Sequence, residues 1–408
     1  VLLVAALGGF AVLTFFTTKW VLGNSISSRA DEVDIASFAV QLAPSDPQTR
    51  YSRAVLLNRT LDPSDTLTAL QELEAATALS PHNYLLWLEL GKALERNGEG
   101  ERAIGAFREA KNLAPNYSIT QWSLGNALLR QGEVAIALPH IIAAAESNPS
   151  YAEPAASMIW QLAEGDLASV RTALLNAPMT SSRLIPILGR EKKLDEALAM
   201  WDQLISARNP KDHSDIGRAL YDQLIESHRY REALRVLSGT SNGELAEHKI
   251  SSIFDGGFES RALNENRSVF EWRYAADPRM GLTDGNKRSG NYSFLIGFPA
   301  GTTSIKNLAQ TVAVEPGQAY QFEIYSRSDL KTNGTVKWEI INGADGKRLA
   351  VTDAIVPSSD WMLSRAIFKM PTDSDGVEFR LIKECTTATC TIEGNLWLDD
   401  ASLKQTDQ

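Results

Sequence analysis

The apolar positions along this chain change rhythm twice. Residues 1–18 carry no charged side chain and are dominated by apolar residues up to Lys19 and Trp20. A helix of about 18 residues rises about 27 Å, close to the hydrocarbon thickness of a bilayer. From Ser25 to Lys249 the apolar residues return at helical spacing, in segments broken by Pro and Gly. Beyond Lys249 they alternate over short stretches such as Tyr292 to Phe298, Ala319 to Ser326, Val336 to Ile341, Trp361 to Met370, Val377 to Ile382 and Asn395 to Leu403. Gly, Asn and Asp separate these stretches, which is the pattern of antiparallel strands. The expected fold is multidomain α + β: a single transmembrane helix (1–23), an α-solenoid of helical hairpins (24–249), and an antiparallel β-sandwich (250–408).

Lys19 and Trp20 suit the edge of a bilayer, where an ammonium snorkels and an indole lies at headgroup depth. A cleaved signal peptide is the competing reading. The apolar run exceeds the usual signal length and no Ala-x-Ala follows it, so an anchor is expected. The sequence starts at Val1 and not at Met, so orienting charges are expected upstream and sidedness has to come from other features.

The helical region repeats itself. Gly91 and Gly125, Ala103 and Ala137, Ala110 and Ala144, and Pro115 and Pro149 are each 34 residues apart. One unit carries Trp87, Leu90, Gly91, Leu94, Gly98, Ala103, Phe107, Ala110 and Pro115, and the next carries Leu124, Gly125, Leu128, Gly132, Ala137, Ile141, Ala144 and Pro149. Gly91 and Ala103 are small where two helices cross, Trp87, Leu94 and Phe107 fill the space between, and the prolines stop the second helix. Weaker units contain Leu57, Ala69, Leu73 and Ala76, then Leu184, Leu188, Ala197 and Trp201, then Leu220, Tyr221, Leu224, Ala233 and Leu237. Ala152 to Ala177 departs from the pattern, with Arg171 where a small residue belongs, so irregular packing is expected there.

These positions resemble the tetratricopeptide repeat (TPR) family. The resemblance implies a superhelix whose first helices line a groove for peptides or proteins. Projecting that groove selects Tyr51, Asn58, Arg59, Leu88, Lys92, Arg96, Trp122, Asn126 and Arg130. Arg59, Arg96 and Arg130 hold equivalent places and form either a ladder for carboxylates or a set of caps on the negative helix ends. The peptide-terminus clamp of chaperone-binding members needs several Lys and Asn, and only Asn126 fits it.

The sandwich opens with Phe254-Asp255-Gly256-Gly257-Phe258-Glu259 and closes with Leu396-Trp397-Leu398-Asp399-Asp400-Ala401-Ser402-Leu403. With Gln310-Thr311-Val312 and Val314-Glu315-Pro316-Gly317 between them, these resemble carbohydrate-binding jelly rolls of galactose-binding-like fold. The resemblance implies a structural calcium tying the first strand to the last, for which Glu259, Asp399 and Asp400 are the matching carboxylates; the plainer alternative is a strand that ends in surface acids. It also implies polysaccharide as a partner. Sugar stacking needs exposed aromatic faces, and Trp272, Tyr274, Tyr292 and Trp361 are the candidates, although alternation sends about half of such residues into the core. Asp284-Gly285-Asn286 and Asp373-Ser374-Asp375-Gly376 read as turns.

Composition narrows the partners. Forty Lys and Arg against fifty Asp and Glu leave a net charge of −10, which argues against a nucleic acid partner. The two cysteines, Cys385 and Cys390, bracket four residues and either close a hairpin as a disulfide or remain thiols. A disulfide belongs to an oxidising compartment, so anchor, disulfide and sugar-binding resemblance together place the bulk outside the cytoplasm, in a periplasm or at a cell surface. No nucleophile with base, no metal motif and no phosphate-cradling loop stands at usable spacing, and the five histidines are scattered. The expected role is a non-catalytic, membrane-anchored scaffold. Its alternatives are a structural subunit whose sandwich packs on other subunits, or the tail of a glycan ligase.

Overall fold

The computed structural model describes residues 2–60, 62–207, 213–240, 248–260, 268–275, 277–385 and 390–406, arranged in two compact units, Val1–Leu184 and Ile185–Gln408.

The first unit is helical. It opens with α1 (Leu2–Ser27), followed by α2 (Val33–Leu42), α3 (Pro47–Leu57), α4 (Pro63–Leu79), α5 (Tyr84–Arg96), α6 (Gly100–Leu113), α7 (Ser118–Arg130) and α8 (Val134–Ser147). The hairpins start and stop where local chemistry dictates. Asp46, Asp62 and Asn83 each accept the N–H two residues on, and Pro47 and Pro63 occupy the first helical turn. Helices α5 and α7 each end in a left-handed glycine. Gly98 (φ 77°) lets its own N–H reach Glu95 O and that of Glu99 reach Leu94 O, and Gly132 (φ 80°) repeats the arrangement. The small positions are close crossings: a Cβ on Gly91 would lie 2.5 Å from the Phe107 ring, and one on Gly125 would lie 2.7 Å from Ile141 Cδ1. As expected, the segment after Ala152 is irregular. A normal α9 (Ala152–Leu162) is followed by two short helices, α10 (Leu167–Ala173) and α11 (Pro178–Ser182), with Arg171 exposed.

Helix α1 has two characters. Among the described residues it is the one helix long and apolar enough to cross a membrane, over Ala6–Ser27, and its described side chains are mostly exposed through Leu22. From Gly23 onward the same unbroken helix belongs to the stack. Gly23 faces Ala39 and Ala43, Asn24 Nδ2 donates to Asp46 Oδ2 at 2.8 Å, and Ser52 Oγ donates to Ser27 O at 2.6 Å. The expected division at residue 23 therefore falls inside a helix.

The second unit begins inside α12 (Leu184–Arg190) and continues with α13 (Leu194–Ala207), α14 (Ser214–Glu226) and α15 (Tyr230–Thr240). Two antiparallel sheets follow. Sheet A orders β1 (Arg273–Tyr274), β4 (Leu308–Ala313), β10 (Gly376–Glu384), β7 (Thr335–Asn342) and β8 (Arg348–Val351). Sheet B orders β2 (Met280–Thr283), β3 (Ser293–Thr302), β11 (Ile392–Thr406), β5 (Ala319–Ser328) and β9 (Ser358–Lys369), with β6 (Lys331–Thr332) beside β11. Between the sheets lies an aromatic core that includes Phe258, Trp272, Phe294, Tyr320, Phe322, Trp338 and Phe379.

The last hairpin is packed against this sandwich, which is why the unit boundary falls at Leu184 and the expected boundary at 249 lies inside one unit. The Val269 N–H donates to Tyr221 Oη at 3.2 Å, and the Tyr221 ring meets Phe270 edge-on. Tyr230 Oη donates to Gly343 O at 2.9 Å, and any Cβ at Gly376 would overlap the Tyr230 ring. Asp375, in the segment read as a plain turn, accepts the N–H groups of both Tyr230 and Arg231 at 3.0 Å. A carboxylate of the sandwich thus caps the start of α15.

Candidate functional site

In the repeats, the projected groove residues sit on α3, α5 and α7, except Asn58 and Arg59, which lie just past the end of α3. Arg59 and Arg96 are exposed, and no carboxylate among the described residues pairs with them. Arg130 is different: its guanidinium is held by Glu95 of the preceding repeat. Lys92 Nζ pairs with Glu89 at 2.7 Å, and Asn126 Nδ2 donates to Trp122 O at 2.8 Å. Trp122 stacks on Tyr151 with centroids 4.7 Å apart. Tyr51 packs half-buried against the core, where burial, aided by Glu89, raises its hydroxyl pKa. Asn58 is half-buried, and its Oδ1 has no hydrogen-bond partner. Leu88 corrects the projection: it is 3% exposed and belongs to the core, because it turns inward beside Ala54 and Leu57 and not toward the groove.

In the sandwich, the four sugar-stacking candidates separate. Trp272 is a core residue, 3% exposed, stacked on Phe258 with its Nε1 donating to Asp255 O. It offers no face to a ligand. Tyr274 packs edge-on against Phe294 at 4.7 Å and closes the edge of the core. Tyr292 is half-exposed, and its N–H donates to Glu259. Trp361 is half-exposed on β9, and of the four it is the one that borders an open sheet face.

Glu259, Asp399 and Asp400 do come together, around the loop that carries Arg288. Asp399 Oδ2 accepts the N–H groups of Arg288 and Ser289 at 2.8 and 3.2 Å, and its Oδ1 accepts that of Asp400 at 2.8 Å. Asp400 pairs with the Arg288 guanidinium and accepts Ser289 Oγ at 2.7 Å. Glu259 Oε1 accepts the N–H groups of Asn291 and Tyr292. Burial raises the Asp399 carboxyl pKa, against the lowering effect of its N–H donors. Five of the six carboxylate oxygens face hydrogen-bond donors and Arg288 brings a cation into the cluster, so the arrangement does not fit a calcium ion, which needs oxygens converging on an empty centre. Among the described residues no group of three metal-binding side chains gathers elsewhere. Cys385 and Cys390 form a disulfide, with Cα atoms 5.7 Å apart; residues 386–389 between them lie outside the described residues.

The two outward faces of the sandwich differ. On sheet A, the outward residues Ala309, Thr311 and Ala313 of β4 are all buried, and an ionic network fills β7 and β10. There Glu339 accepts Arg380 Nε and Arg348 Nε at 2.5 Å each, and Arg273 pairs with Glu378 at 2.6 Å. Burial pushes Glu339 upward, but the two guanidiniums outweigh it and hold the carboxyl below its ordinary pKa. On sheet B, the outward side carries Leu295, Trp397, Tyr325 and Arg327, all half-exposed, then Leu363, Arg365 and Ile367 on β9.

Trp397, Tyr325 and Arg327 were missed as site candidates, although strand parity marks them. Trp397 stands between inward Leu396 and Leu398, and Tyr325 follows inward Ile324. Arg288 and Asp375 left no comparable signal, because their partners lie more than 100 residues away.

Residues 61–118 match the family model described as tetratricopeptide repeat. No curated protein matches the chain. Among solved structures, MamA MSR-1 C2 is similar at 22% identity over 28% of this chain and 64% of its own, with a TM-score of 0.26. The chain therefore spans just under two thirds of that structure's length. MamA 41-end from Desulfovibrio magneticus RS-1 is similar at 15% identity over 40% of this chain and 94% of its own, with a TM-score of 0.33. A structure described as CBM4 structure and function is similar at 16% identity over 38% of this chain and 99% of its own, with a TM-score of 0.28.

Proposed function

We propose that this chain is a non-catalytic, membrane-anchored scaffold that holds a protein partner in its repeat groove and displays its bulk outside the cytoplasm. The observation that carries the reading is the groove itself. Helical hairpins at the family spacing leave Arg59 and Arg96 exposed at equivalent positions without carboxylate partners, which suits an extended peptide bearing acidic side chains. Helix α1 supports the anchor, since its exposed apolar surface ends where its packing against α2 begins. The Cys385–Cys390 disulfide supports an oxidising location.

The test is site-specific photocrosslinking from Arg59 and Arg96 positions in cells, with the crosslinked proteins identified and the purified partner titrated against wild type and Arg59→Glu/Arg96→Glu. Loss of about tenfold or more in affinity, with the thermal midpoint unchanged, is expected for two charge-assisted contacts. Unaltered affinity would remove the groove from the function.

A second reading, in which the sandwich serves as a structural element, is favoured by the docking of Tyr221 and Tyr230 onto it. The two readings are compatible, since the docked hairpin engages the sheet A side and leaves the outward side of sheet B available for polysaccharide.

A further inference from the structure

We infer that the outward side of sheet B is a glycan-binding face whose centre, Arg327 beside Trp397, selects a chain that carries carboxylates, such as a polyuronate. The inference rests on reading the sandwich as sugar-binding and specifies the ligand class of that face.

Three observations lead to it. The first is access. On sheet A the outward residues of β4 are buried and those of β7 and β10 are tied up in ion pairs, whereas on sheet B Leu295, Trp397, Tyr325 and Arg327 are half-exposed and Leu363, Arg365 and Ile367 exposed.

The second is the row of side chains across sheet B. Register pairs Gly281 with Leu295, Leu295 with Trp397, and Trp397 with Arg327. Met362 pairs with Ser326 and Ser358 with Ser328, so Trp361 lies in the stretch of β9 where the register shifts past Arg327. Directly paired residues on one face have Cβ atoms about 5 Å apart, so the Trp397 indole and the Arg327 guanidinium are neighbours. A pyranose needs a flat apolar face to stack on and a fork of donors for its oxygens, and this row supplies both. Gly281 leaves the far end of the row open, since a Cβ there would meet nothing within 4 Å. Tyr325, one row along, is covered by the Arg288 guanidinium at 3.5 Å from its ring centroid and forms a rim instead of a stacking surface.

The third is charge. In a chain of net charge −10, five of the seven described arginines of this module are matched: Arg273 to Glu378, Arg279 to Asp277, Arg288 to Asp400, and both Arg348 and Arg380 to Glu339. Arg365, exposed on β9, lies opposite Glu323 in the ladder with no ion pair among the described residues, since Glu323 pairs with Lys404 at 3.1 Å. Arg327 is half-buried beside Trp397, and no carboxylate among the described residues pairs with it. A guanidinium so placed is complementary to a bidentate carboxylate on the ligand.

The experiment uses the full chain in detergent, titrated by calorimetry with polygalacturonate and, separately, with neutral dextran and xylan. Binding of polygalacturonate but not of dextran or xylan is expected. Arg327→Gln and Trp397→Ala should each weaken it about tenfold or more, and Arg327→Lys should fall between wild type and Arg327→Gln, because the charge stays and the fork is lost. Near-ultraviolet circular dichroism of each variant establishes that the sandwich is folded, and Arg365→Gln, on the same face but outside the row, should change affinity less than about threefold. Equal binding of neutral and acidic polymers, weakened by Trp397→Ala and unaffected by Arg327→Gln, would overturn the carboxylate assignment and leave the sugar reading standing. Polygalacturonate binding unchanged in both variants would overturn this face. No binding of any of the three polymers by wild type would overturn both and leave the sandwich a structural element.

Discussion

Replacing Asp375 by Ala tests whether the sandwich organises the last repeat hairpin. Its two carboxylate oxygens accept the Tyr230 and Arg231 N–H groups at 3.0 Å, so they satisfy two donors that the first turn of α15 cannot satisfy itself. Losing a capping side chain costs about 1 kcal/mol, and losing a negative charge at a helix start costs a further 0.3–1 kcal/mol or so. The expected total is about 1.3–2 kcal/mol. Because the chain has two compact units, a global midpoint would mix their responses, so the readout is native-state hydrogen exchange at the two amides. A local loss of that size speeds exchange at Tyr230 and Arg231 by about 10–30-fold, while core amides of β10 change little. Asp375→Asn keeps an acceptor and should lose about half as much. Unchanged exchange at both amides in Asp375→Ala would refute the claim that this carboxylate caps α15.

Three further outcomes follow from the same structure. Gly91→Val should destabilise the first unit by about 1–3 kcal/mol in chemical unfolding, because the added Cβ enters the Phe107 ring; a neutral result would mean the helices can separate at no cost. Glu339 has a folded pKa below its unfolded value, so its contribution is complete above about pH 4.5 and is lost as pH falls through the lower folded value; Glu339→Gln should remove that part of the acid sensitivity and cost about 1–2 kcal/mol at neutral pH, after allowing for the partial exposure of Arg348 and Arg380. The thermal midpoint of the full chain should be the same in EGTA and in millimolar calcium, since Arg288 already balances Asp400; a calcium-dependent rise would show that the carboxylates regroup around the ion.

Periodicity was sufficient for the hairpins because a repeat is a local object: Gly91 meets Phe107 and Gly98 turns the chain between their helices within one unit, so spacing alone identifies their roles. Strand positions were legible for the same reason, as β3, β5, β7, β9, β10 and β11 each cover a stretch that alternates in the sequence. Leu88 and Trp272 went astray because an aromatic or aliphatic residue near a face obeys the same pattern whether it points in or out.

The sequence by itself determined the order of parts in this protein: an apolar helix, paired helices of fixed period, then alternating strands, each set by interactions among near neighbours. The tertiary structure alone decided that α1 runs into the stack without a break, that Asp375 caps a helix 145 residues away, that Arg288 neutralises Asp400, and that Trp397, not Trp272, faces outward. Those outcomes depend on which distant surfaces meet when the chain packs, and charge and hydrogen-bond pairing between them carries no period that a linear pattern could register.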